Sequence, residues 1–144
     1  MHKLEDSLGF QVNRTANAMK SRFNNFLKSY NLTSEQYVIM KSVQENPEIT
    51  PTQLSEITLK DKTTITRMID TLVKNEMLVR TPKADDRRAY QLSWSPKGEK
   101  VMKEILPITE NVIKKLSGQF DEKDLKTFLR MLATLREIPC LESL

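Results

Sequence analysis

Apolar residues recur at helical spacing over most of this chain. Leu4, Leu8, Val12, Met19, Phe23, Phe26 and Leu27 predict one long helix over about residues 4–30, closed by Asn31-Leu32. Thr33-Ser34-Glu35-Gln36 follows, a capping box in which the Thr33 hydroxyl takes a free helix amide and Gln36 reaches back. The second helix, about 34–45, is expected to bury Tyr37, Val38, Met40 and Val43 and to stop before Asn46-Pro47. Thr50-Pro51-Thr52-Gln53 repeats the signal, with Pro51 at the first helical position, where its missing N–H costs nothing. A short helix over about 51–58 is expected to turn Leu54 and Ile57 inward. After the turn Thr58-Leu59-Lys60, Asp61 caps a fourth helix to about Asn75, with an inward stripe of Ile65, Met68, Ile69, Leu72 and Val73. Two helices joined by so short a turn form a helix-turn-helix.

The period then changes. Leu78-Val79-Arg80-Thr81 reads as a strand, and Tyr90-Gln91-Leu92-Ser93-Trp94 alternates apolar and polar residues at period two. The polar stretch between them, Pro82 to Arg88, makes this a hairpin with a basic tip. Ser95-Pro96 opens another helix to about Ser117. Pro107 inside it is expected to remove one backbone hydrogen bond and bend it. Gly118 ends that helix, and Asp121 opens a last one to about Glu137, with Leu125, Phe128, Leu129, Leu132 and Leu135 on one face. The expected fold class is mainly α with a small β-hairpin wing.

Composition narrows the function by exclusion. A length of 144 residues fits one domain, and no apolar run approaches the roughly 18–20 residues that span a bilayer. The opening residues Met1 to Asp6 lack a signal peptide's apolar stretch, so the expected compartment is the cytoplasm, with no membrane partner. Cys140 is the one cysteine and His2 the one histidine, so neither an internal disulfide nor a zinc site is expected. Cys140 stands beside Pro139 with no flanking base to lower its pKa. There is no glycine-rich phosphate loop, and Asp85-Asp86 lies in a charged hairpin without an apolar wall. Neither an enzyme nor a cofactor is expected. The charge is net +3 over residues 60–90, directly after net −3 over 31–59. That permits a nucleic-acid partner without requiring one.

The ordered parts say more than the charge. A helix about 10–12 Å wide fills the major groove of DNA, and a two-stranded wing can bring a cation to the minor groove. The outward positions of the fourth helix are Lys62, Thr63, Thr66, Arg67, Asp70 and Lys74, with Thr64 at the margin. Threonine methyls can touch thymine methyls, and Arg67 can pair with guanine or phosphate. Thr50 and Thr52 are helix-start residues first and candidate phosphate contacts second. Lys83 and Arg87 are candidate phosphate contacts or solvated cations. A protein-docking module is the competing class, but such a face exposes aromatic and aliphatic anchors, where this one offers Thr, Lys and Arg. A non-specific architectural DNA binder differs from a regulator in base discrimination alone.

The residues also resemble a family. Leu32-Thr33 with Gln36, Leu54-Ser55-Glu56, Asp61-Lys62-Thr63-Thr64-Ile65-Thr66-Arg67, Met68-Ile69-Asp70-Thr71-Leu72, the Asp86-Arg87-Arg88 wing signature and Lys97-Gly98 stand in the order and spacing of the multiple antibiotic resistance regulator (MarR) family of bacterial and archaeal transcription factors. Two features depart from it: the turn Leu59-Lys60 lacks the glycine common in helix-turn-helix proteins, and Trp94-Ser95 replaces a Leu-Thr type ending of the wing. The resemblance implies a winged helix-turn-helix lobe over about 33–95, with long dimerisation helices over about 1–30 and 96–144 of a single domain. It implies a homodimer on a pseudo-palindromic double-stranded operator, acting as a repressor. It also implies that Asp86 braces Arg88 for the minor groove. Phe10, Phe23, Phe26, Tyr37, Trp94 and the methionines carry two readings, ordinary core or the lining of a small-molecule effector pocket between dimerisation helices and lobe. The wide apolar faces of the terminal helices, including Leu4, Leu8, Leu125, Phe128, Leu129, Leu132, Ile138 and Leu141, argue for a second copy on physical grounds.

Overall fold

The computed structural model describes residues 3–139, apart from the side chain of Arg87. His2, Cys140 and Leu141 lie outside the described residues. Among the described residues six α-helices and one hairpin follow in the order α1 (Leu8–Leu27), α2 (Ser34–Glu45), α3 (Pro51–Thr58), α4 (Lys62–Lys74), β1 (Leu78–Lys83), β2 (Asp86–Trp94), α5 (Pro96–Ser117) and α6 (Glu122–Glu137). The chain divides into two compact units, Met1–Met102 and Lys103–Leu144.

In the first unit both expected capping boxes form. Thr33 and Thr50 each accept the amide of the glutamine three residues on and receive its side chain in return. The long first helix is α1 flanked by short 3-10 turns at Leu4–Asp6 and Lys28–Tyr30, and Asn31 ends it in the left-handed conformation. The core is built from Leu27, Leu32, Ile39, Met40, Val43, Ile49, Leu54, Ile65, Ile69, Leu72, Met77, Leu78, Leu92 and Met102. Two inward assignments fail. Ile39 is buried and Val38 is exposed on α2, and Ile57 is 61% exposed on α3. Eight residues give α3 barely two turns, so Leu54 alone reaches the core. On α4, Ile65, Ile69 and Leu72 are buried, while Met68 and Val73 at the stripe's edges are half-buried.

The hairpin is longer than its apolar alternation suggested, with a two-residue turn at Ala84-Asp85. Its register runs Leu78 to Trp94 through Pro82 to Tyr90, then jumps to Lys83 opposite Asp86. Pro82 has no N–H to give the ladder. The jump leaves Arg87, Arg88 and Ala89 as a bulge on β2.

The aromatic residues of this unit are half-buried, and several meet one another. Phe23 and Tyr37 meet edge to face at 4.9 Å between ring centres, and Phe26 sits between Phe23 and Tyr30. The Trp94 indole N–H donates to the Met40 carbonyl at 2.8 Å. Ser95 caps α5, accepting the Gly98 amide at 2.9 Å while its hydroxyl donates to the Glu76 carbonyl. Gly98 is required there because a Cβ would stand 2.1 Å from the Met77 carbonyl oxygen.

The second unit holds the rest of α5 and all of α6. The helix continues through Pro107, and the Thr109 hydroxyl donates to the Leu106 carbonyl at 3.0 Å. No residue of α6 is buried, and Phe128, Leu129 and Met131 are each more than half exposed. Among the described residues no helix is long and apolar enough to cross a membrane.

Candidate nucleic-acid interface

The turn into α4 is held without glycine. Leu59 takes the left-handed conformation at φ 56°, ψ 26° and is 75% exposed. For a leucine this costs roughly 1–2 kcal/mol. Hydroxyls around it supply what holds the bend. Ser55 donates to the Lys60 carbonyl, and Thr58 donates to the Leu54 carbonyl at 2.7 Å while taking the Lys60 amide at 3.4 Å. Asp61 then caps α4, its carboxylate accepting the Thr64 amide at 2.7 Å. That bond, with the Thr64 hydroxyl and the nearby Arg67 charge, holds the Asp61 carboxyl below its ordinary 3.8.

The apolar stripe of α4 faces the core, so the opposite face is open. Lys62, Thr63, Thr66, Arg67 and Asp70 line one shallow groove of about 380 Å³. All five are exposed, whereas Thr64 is half-buried and its amide is used by the cap. Thr52 is exposed at the second position of α3. A second ionic group lies behind the turn. Lys20 of α1 donates to the Glu35 carboxylate on α2, and Lys60 of the turn stands 3.4 Å from the same oxygen. Lys20 first, then Lys60, holds the Glu35 carboxyl below its ordinary 4.5, against the opposing effect of partial burial.

In the wing, Asp86 and Arg88 meet through the backbone. The Arg88 amide donates to the Asp86 carboxylate at 2.9 Å, so the aspartate fixes the chain at the bulge. The Arg88 side chain is exposed, with no partner among the described residues. The implied side-chain brace is therefore a backbone brace. Arg87 belongs to the same bulge, its side chain outside the description.

The residues that pattern reading missed lie at the wing's base. Arg80 of β1 is paired with Asp70 of α4 and lies 5.1 Å from the centre of the Tyr90 ring on β2. The Asp70 carboxylate holds the Arg80 guanidinium further above its already high range. Arg80 Nε is buried without a hydrogen-bond partner, an arrangement that costs about 1–3 kcal/mol. A signal was present in the sequence: period two from the buried Leu78 puts Val79 outward and the charged Arg80 inward, the reverse of what polarity alone selects.

Comparison with known proteins agrees with this architecture. A family model described as MarR family matches residues 32–90, from the start of the helix-turn-helix into the second strand of the wing. The HTH-type transcriptional regulator SarZ of Staphylococcus epidermidis is 23% identical over 113 residues, 75% of this chain and 76% of that one. The crystal structure of a MarR family transcriptional regulator from Silicibacter pomeroyi is similar with a TM-score of 0.76 at 25% identity, over 93% of this chain and 90% of that one. Over residues 32–90 the chain is MarR family. A mutant MarR from E. coli complexed with operator DNA shares the fold, with a TM-score of 0.77 at 20% identity over 89% of this chain and 92% of that one.

Family and relatives are transcriptional regulators, not enzymes. In this MarR-family chain the two departures from pattern are absorbed locally. Hydroxyl bonds replace a turn glycine, and Ser95 caps α5 where a threonine is usual.

Proposed function

We propose that this MarR-family regulator acts as a homodimer on a pseudo-palindromic double-stranded operator, in the cytoplasm, as a repressor. The observation that carries the reading is the α4 groove. A helix whose apolar stripe is used inside the lobe presents Lys62, Thr63, Thr66 and Arg67 together on its open face. In the major groove, Thr63 and Thr66 approach base edges and thymine methyls, and Arg67 pairs with guanine or phosphate. Lys62 and the amide-rich start of α4, with Thr64 at its margin, suit a phosphate, as does Thr52 at the start of α3. The wing's bulge presents Arg88 to the minor groove, with Asp86 fixing its backbone and Arg87 beside it on the phosphates.

Dimerisation is supported by α6, which has an apolar face and no buried residue. Two-fold symmetry then sets two α4 helices roughly 34–36 Å apart, one turn of DNA. Bound there, the dimer blocks polymerase. A small-molecule effector releases it by binding more tightly to a conformation whose lobe spacing no longer fits the half-sites.

Selection of bound duplexes from a random pool, followed by titration of the best at several salt concentrations, tests the reading. An inverted repeat is expected to emerge. Its affinity should fall steeply as salt rises, because phosphate contacts release counterions. Binding indifferent to both sequence and salt would overturn it.

A further inference from the structure

We infer that Arg80 is a positioning residue for DNA recognition, acting through Asp70 by neutralising the carboxylate that this residue brings to the α4 groove. This deepens the proposed operator reading and rests on it.

Arg80 pairs with Leu92 across the hairpin, and Tyr90 is the diagonal neighbour on the same face. That face carries the buried Leu78 and Leu92 against the lobe. A guanidinium is costly in such a position, and Nε is left buried and unbonded. What holds it is the Asp70 carboxylate from α4 on one side and the Tyr90 ring on the other. One side chain thus links α4, β1 and β2.

The electrostatic consequence follows from the groove lining. Asp70 is the acidic member of a set otherwise made of Lys62, Thr63, Thr66 and Arg67. DNA presents one phosphate charge about every 1.7 Å of axis, so a bare carboxylate there opposes binding. With Arg80 paired to it the face stays cationic, and on this inference Arg80 acts through Asp70 rather than on a phosphate.

The test uses the full chain and a labelled duplex selected by the wild-type protein, with Arg80→Ala, Asp70→Asn and the double variant. Arg80→Ala should weaken binding by about tenfold or more, with the slope of affinity against salt unchanged, because no phosphate contact is lost. Asp70→Asn alone should change affinity by less than about threefold. Asp70→Asn in the Arg80→Ala background should recover most of the loss, a coupling that lost packing alone does not produce. Wild-type affinity in Arg80→Ala would overturn the inference, as would a salt slope reduced by about one. A tenfold loss in Asp70→Asn would also overturn it, since Asp70 would then contact DNA itself. So would a double variant no better than Arg80→Ala. If the wild-type chain enriches no duplex, the operator reading falls and takes this inference with it. If the wild-type chain enriches one and the variants behave otherwise than stated, only the inference falls.

Discussion

Helices α4 and α6 are both amphipathic and similar in length, 13 and 16 residues, yet they finish folding in opposite conditions. The stripe of α4 is spent inside its own lobe, with Ile65, Ile69 and Leu72 buried. The stripe of α6 is not, and Phe128 and Leu129 remain 55% and 56% exposed. A helix whose apolar side is already covered has its polar side left for a ligand. A helix whose apolar side is uncovered still needs a protein surface. On the proposed reading the same hydrophobic periodicity marks one helix for DNA and the other for a second copy, and burial distinguishes them.

The contrast breaks most visibly at α6. Leu129→Asp places a charge on the face assigned to the partner, and should convert the dimer to monomer in sedimentation velocity. A variant that stays dimeric would move the interface elsewhere. Ile69→Ala on α4 should instead lower unfolding free energy by about 2–5 kcal/mol in urea titrations, whatever the protein concentration. Arg88→Ala should weaken operator binding by about 1–3 kcal/mol in anisotropy titrations while melting and assembly stay as in wild type. Leu59→Gly relieves a left-handed leucine that is mostly exposed, and should raise stability by about 1 kcal/mol in the same urea titration.

The smallest effect is one of pH. Glu35 and Asp61 are carboxylates whose pKa is lowered in the folded chain. Their contribution is complete at neutral pH. It is lost as pH falls below their ordinary 4.5 and 3.8 toward the lower folded values. Glu35→Gln should flatten the acid side of a melting-temperature profile between about pH 5 and 3. An unchanged profile would mean that the Lys20–Glu35–Lys60 group adds nothing to the lobe.

The elements were legible because their signals are local. Thr33, Thr50 and Asp61 cap helices within three residues, and the i, i+3, i+4 stripe of α4 needs no knowledge of its neighbours. The failures came where tertiary packing chooses among local options. Val38 and Ile39 are adjacent apolar residues, and the direction of the lobe core decides which is buried. Ile57 lies near the end of a helix too short to bury a second position. The α4 face was readable as Thr, Lys and Arg in one arc, but the Asp70–Arg80 pair joins residues ten apart across a helix end and a strand. Only the misplaced polarity of Val79-Arg80 hinted at it. The Asp86–Arg88 bond is likewise visible as spacing, yet whether the aspartate takes the amide or the guanidinium depends on the bulge.

Hydroxyl-radical footprinting of the selected duplex tests the division of labour between α4 and α6 most directly. The account predicts two protected patches centred about 10–10.5 base pairs apart, one per lobe of a dimer joined through its terminal helices. A single patch, or protection unaltered when Arg67 and Arg88 are both replaced by alanine, would contradict it.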